Sequence, residues 1–112
     1  MPTAAQLAER IAKRAKILDP NESLTSQEND DVVAILNSVY ESMKERGHIR
    51  WTLTEIPTRY QDAFISVVAR RVASDFGTLD QGIMEMAMSG EREIYALNEM
   101  RSDKRETDVT DF

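Results

Sequence analysis

Cysteine is missing from the 112 residues. That excludes disulfides, thiolate metal sites and cysteine nucleophiles. Histidine occurs once, at His48, so a catalytic triad, a histidine-bearing metal site or a histidine base would all have to use it. No HExxH, HxH or DxDxDG pattern surrounds it, and the expected role is an exposed or locally bonded side chain. Glycine (four) and proline (three) are scarce, and no glycine sits in a GxGxxG or GxxxxGK arrangement. A phosphate cradle is therefore not expected. No run approaches the ~18–20 apolar residues of a membrane span. The opening Met-Pro-Thr-Ala-Ala has neither the charged nor the apolar region of a secretory signal. The expectation is cytoplasmic synthesis, no membrane partner, no cofactor, no metal and no enzymatic activity.

What is present is 41% hydrophobic and 30% charged, with a net charge of −6. The length suits one domain. An acidic chain repels a phosphate backbone, which disfavours general nucleic-acid binding. The charge is uneven. Residues 1–18 sum to +3, residues 19–31 to −5, residues 32–77 to +1 and residues 78–112 to −5. Blocks of opposite sign suit head-to-tail contact between copies as well as ordinary solvated surface.

Apolar residues recur at helical spacing, which predicts an all-α fold: a four-helix bundle with an extended connector after the second helix and a flexible C-terminal tail. The first helix is expected from Thr3 to Leu18, capped by Thr3 with Gln6 and stopped by Asp19-Pro20. Its core stripe is Leu7, Ile11, Ala15 and Leu18. The second helix, capped by Thr25 or Ser26, carries Val32, Ile35, Leu36, Val39, Tyr40 and Met43 and ends at Gly47. A connector, His48 to Ile56, follows.

The third helix, after Pro57, spans Arg59 to Phe76 and stops at Gly77. Phe64, Ile65, Val67, Val68, Ala69, Val72, Ala73 and Phe76 cover more than half its circumference, which predicts a central, buried helix. The fourth helix, capped by Thr78, is expected to reach about Met100 or Asp103. Its stripe is Leu79, Ile83, Met86, Ala87, Gly90, Ile94 and Leu97. Gly82 and Gly90 weaken it unless they allow close helix contact. Residues 1–103 form the expected domain and 104–112 the tail, which has almost no apolar content before Val109 and Phe112.

Interface candidates come next. Met84 and Met88 lie four apart on a second stripe, and methionine suits adaptable surfaces. Trp51 in the connector is either a hot-spot residue or a cover for one end of the bundle. Arg70 and Arg71 point about 100° apart, so at least one must leave the core or meet a carboxylate, within the chain or across a subunit boundary. Arg71 with Asp75 is an i, i+4 pair.

The order of elements, the loop SLTSQEND, and the third-helix stretch AFISVVARRVASDFG resemble the phage head-to-tail adaptor family. These are also called tail accessory or head completion proteins, and the branch that looks most similar is the tail accessory factor of short-tailed phages. The residues carrying the likeness are Ala63, Val67, Ala69, Arg70, Arg71, Ala73, Asp75 and Phe76, with Leu24, Thr25, Glu28, Leu36, Tyr40 and Gly47. The resemblance implies a virion protein at the head-tail junction. It would form a homo-oligomeric ring, typically of twelve copies, beneath the portal protein. The ring would extend the channel through which DNA passes without specific binding, and offer a platform to tail or nozzle proteins. It also implies a C-terminal segment that orders against the portal: here Lys104, Arg105, Asp108, Val109, Asp111 and Phe112. Arg70, Arg71, Asp75, Met84, Met88 and Trp51 would face neighbouring subunits. A different class remains open, a small regulatory or nucleic-acid-associated module using Arg10, Lys13, Arg14 and Lys16 of the first helix.

Overall fold

A computed structural model describes the backbone of residues 3–110 and the side chains of residues 3–99. Four helices account for the fold: α1 (Ala4–Arg14), α2 (Ser26–Glu45), α3 (Thr58–Phe76) and α4 (Gln81–Thr110), with one 3₁₀ turn at Leu53–Glu55. Among the described residues there is no strand. The connector alternation of Ile49, Trp51 and Leu53 has no second strand to pair with, and Ile49 turns inward to 3% exposure instead.

Two helices begin with reciprocal capping boxes. Thr3 Oγ1 accepts from the Gln6 N–H at 3.2 Å, and Gln6 Oε1 accepts from the Thr3 N–H at 2.9 Å. Thr25 and Glu28 repeat the arrangement at 3.2 and 3.0 Å. Each satisfies two backbone donors that would otherwise lack helical partners. α2 and α3 both end in a left-handed glycine, Gly47 at φ 79° and Gly77 at φ 77°. His48 and Thr78 then bond back five residues, to Met43 and Ala73, closing the last turn.

Three boundaries differ from the sequence expectation: the end of α1 and both ends of α4, which runs past Asp103 to Thr110. α1 stops at Arg14 rather than Leu18. Lys16 takes φ 64°, and the Ile17 N–H reaches the Ala12 carbonyl at 3.1 Å, the bond of a glycine-type helix stop made without glycine. That stop folds Leu18 back into the core at 7% exposure. The Lys16 ammonium, 2.5 Å from the Asp80 carboxylate, ties this corner to the start of α4. The cap of α4 is Asp80 rather than Thr78: its Oδ1 accepts from the Ile83 N–H at 2.8 Å. Thr78 instead donates its hydroxyl to the Ala15 carbonyl at 2.6 Å, satisfying an end group of α1. No glycine or proline follows Gly90 to break α4. Its backbone runs to Thr110, while the expected flexible tail falls on residues whose side chains lie outside those described.

α3 is the central element, in contact with each of the other three helices. Ten of its residues are buried, including the run from Ala63 to Ala69. Phe64, Leu7, Leu36 and Ile94 are among the largest fully buried side chains and come one from each helix, so one core joins all four. Gly90 explains how closely α3 and α4 approach. A Cβ at that position would stand 2.6 Å from the Ala63 carbonyl oxygen. Gly82 has no such neighbour, only Asp80 Oδ1 at an ordinary 3.4 Å. Phe76, Leu79 and Met86, expected on core stripes, are 39–40% exposed. The first two lie at the α3–α4 turn, where the chain reverses beyond the core, and Met86 lies on the flank of α4 beside Arg14 and Asp62.

Candidate functional site

One to three turns along α3 from its close seam with α4 at Ala63, on the same side of the helix, the helices leave a groove of about 440 Å³. α2 lines it with Ser38, Val39, Ser42, Met43 and Arg46; α3 lines it with Val67, Arg70, Arg71 and Ser74. The three- and four-residue spacings on each helix place these side chains on one face. Glu91 and Tyr95 of α4 form the far wall, and His48 and Leu79 close the two ends.

The groove is basic on an acidic molecule: three guanidinium groups stand against one lining carboxylate. Arg70 and Glu91, about one third exposed, form an ion pair across the groove floor. Arg71 Nε is 4.0 Å from Asp75 and more than half exposed, so that pair contributes little. Among the described residues, Arg46 bonds only within its own helix, to Ser42 Oγ at 3.0 Å and to the Ser42 carbonyl at 3.4 Å. The His48 ring meets Tyr95 edge-on at 4.8 Å, and the His48 carbonyl accepts from Asn98 Nδ2 at 2.9 Å. Tyr60 Oη donates to Asn98 Oδ1 at 3.1 Å, fixing that amide. Guanidinium groups remain protonated at any working pH, so the arrangement suits capture of carboxylates or other anions beside an apolar surface rather than proton transfer.

The sequence candidates divide between two places. Arg70 and Arg71 border the groove, and Asp75 is joined to it through Arg71. Met84 and Met88 are 43% and 45% exposed and share an α4 face with Glu91 and Tyr95, within about 60° of arc at 100° per residue. Trp51 belongs elsewhere. It is half-buried among Tyr40, Tyr60 and Phe64, with ring centroids 5.9, 5.8 and 5.1 Å away, and its backbone carbonyl accepts from Tyr40 Oη at 2.7 Å. Its indole Nε1 is buried with no hydrogen-bond partner. The tail candidates Lys104, Arg105, Asp108, Val109, Asp111 and Phe112 lie outside the described side chains. Arg46, Glu91 and Tyr95 were not anticipated. Arg46 stands four and three residues after Ser42 and Met43, a spacing that is visible in the sequence and puts it on their face of α2.

Two other charged regions frame the groove. At the opposite end of α2, Asp19, Glu22 and Glu28 lie close enough to interact, and Asp30 and Asp31 are exposed in the first turn of the helix. There the Glu22 carboxyl is pushed above its ordinary value by a hydrogen bond to Asp19 and by the repulsion of its charge. Glu28 is lowered by the N–H and hydroxyl of Thr25. On α1, Arg14 pairs with Asp62 at 2.8 Å and donates to Ser66 Oγ at 2.9 Å. With Lys16 on Asp80, two of the four cations of the basic first segment are engaged within the chain. Among the described residues no three His, Asp or Glu side chains converge to hold a metal ion. No described helix is long and apolar enough to cross a membrane.

No family model, curated protein or solved structure matches the chain. The adaptor likeness therefore rests on the sequence pattern alone.

Proposed function

We propose that the chain is a virion structural protein, a head-to-tail adaptor that assembles as a ring under the portal protein. The ring extends the DNA channel and gives tail or nozzle proteins a place to attach. The observation that carries this reading is the position of the stretch on which the likeness rests. Ala63, Val67, Ala69 and Ala73 are buried at the centre of the bundle, while Arg70 and Arg71 of the same stretch point to an uncovered groove. A helix that is core on one side and open on the other suits a subunit built to meet neighbours. An acidic protein is also suited to a channel that passes DNA without holding it. The tail from Lys104 orders against the portal. Each copy contributes modest affinity because ordering opposes binding, and a ring of copies multiplies it by avidity. Deleting residues 104–112 and measuring binding to the portal protein of the same phage tests this. The expected result is lost or strongly weakened binding; undiminished binding refutes the role of the tail.

A further inference from the structure

We propose that the groove between α2, α3 and α4 receives the acidic first turn of α2, around Asp30 and Asp31, from a second copy of this chain. The inference rests on the assembly reading only in requiring that copies meet; it names the surface they use.

Charge complementarity carries it. Residues 19–31 sum to −5, and Asp30 and Asp31 are exposed. The groove presents Arg46, Arg70 and Arg71 against Glu91. Arg70 is already matched by Glu91, which leaves Arg46 and the loosely held Arg71 as the cations available to incoming carboxylates.

Geometry decides the kind of contact. Asp30 and Arg46 lie sixteen residues apart on one helix, about 24 Å at 1.5 Å per residue. Groove against groove brings like charges together, and so does acidic end against acidic end. Groove against acidic end matches opposite signs, either exchanged within a two-fold dimer or propagated head to tail, and a head-to-tail contact closes as a ring where the rotation allows. The basic face of α1 is the rival acceptor, but Arg14 and Lys16 are engaged internally, and its depression beside Arg10 and Lys13 already holds the Asp62 carboxylate and has one apolar side chain, Ile65, and one hydroxyl, Thr58.

The test uses two full-length variants. Arg46→Glu/Arg71→Glu spoils the groove and keeps the acidic end. Asp30→Asn/Asp31→Asn spoils the acidic end and keeps the groove. Sedimentation velocity at roughly 50 mM and 500 mM salt separates screened from unscreened contact. Wild type is expected to self-associate at low salt, and each variant alone to lose self-association by about tenfold or more. Mixed together, they should form one-to-one pairs that cannot grow, because each supplies one intact surface. Circular dichroism melts establish that both variants remain folded. Monomeric wild type at low salt, variants that associate like wild type, or a loss produced instead by Arg10→Glu/Lys13→Glu would each overturn the proposal. Portal binding measured on the same variants separates the two readings: association lost with portal binding intact, or the reverse, tells which one fails.

Discussion

One side of α3 meets its neighbours in two unlike ways along its length. Toward α4 it is closed so tightly that a single Cβ at Gly90 would run into the Ala63 carbonyl. Toward the gap between α2 and α4 it is open and lined with arginine and serine. One helix thus serves stability with its small and branched residues and leaves its long charged ones for a surface. Function in a small all-helical chain is then best sought one to three turns beyond the tightest seam, where the neighbouring helices diverge.

Breaking the seam has the largest expected effect. Gly90→Leu forces α3 and α4 apart and should cost about 3 kcal/mol, the upper part of the range for overpacking. Chemical denaturation should show this as a lowered midpoint with an unchanged slope. The matching change on the open side, Arg71→Ala, should move stability by less than about 0.5 kcal/mol, because an exposed pair at 4.0 Å contributes little. Equal effects from the two would abolish the distinction between seam and groove.

Trp51 sharpens the contrast from the other end of the bundle. Its ring fills an aromatic cluster while its buried N–H lacks a partner. Trp51→Phe removes an unpaired donor together with some volume, two effects of opposite sign, and should stay within about 1 kcal/mol of wild type. Trp51→Ala keeps neither ring nor contact and should cost about 3 kcal/mol or more. Thermal melts of the two variants give the comparison.

The smallest effect concerns acid. The Asp80 carboxyl is held below its ordinary value, first by the Lys16 ammonium and then by the Ile83 N–H. A lowered folded-state pKa means this contribution is complete above the ordinary carboxylate range and is lost as pH falls through the lowered value. Glu28 behaves in the same direction through its cap. Melting temperature followed from about pH 6 down to pH 2 should fall less steeply in Asp80→Asn than in wild type. Parallel curves would show that the carboxylate does not anchor the α1–α4 corner.

Much of this fold is legible in the sequence because periodicity reports burial directly. Val32, Leu36, Tyr40 and Met43 of α2 fall where their spacing places them, as do Leu7 and Ile11 of α1. The glycine stops at 47 and 77 follow from the freedom of glycine at positive φ. Lys16 escaped because the same backbone geometry in a lysine leaves no compositional trace. Asp80 and Thr78 are both competent caps two residues apart, and only the three-dimensional position of the Ala15 carbonyl decides between them. Met86 was misplaced because α4 has a narrow buried stripe, Ile83, Ala87, Gly90 and Ile94, once Gly90 brings it against α3. The groove was half visible: Arg70 and Arg71 stood out as cations in an apolar helix, but Arg46, Glu91 and Tyr95 join them only through the fold.

Electron microscopy of purified virions tests the central claim most directly. A head-to-tail adaptor would give a ring of density for this polypeptide at the vertex where the tail joins the head, bound beneath the portal. Virions that carry no such density there would contradict it.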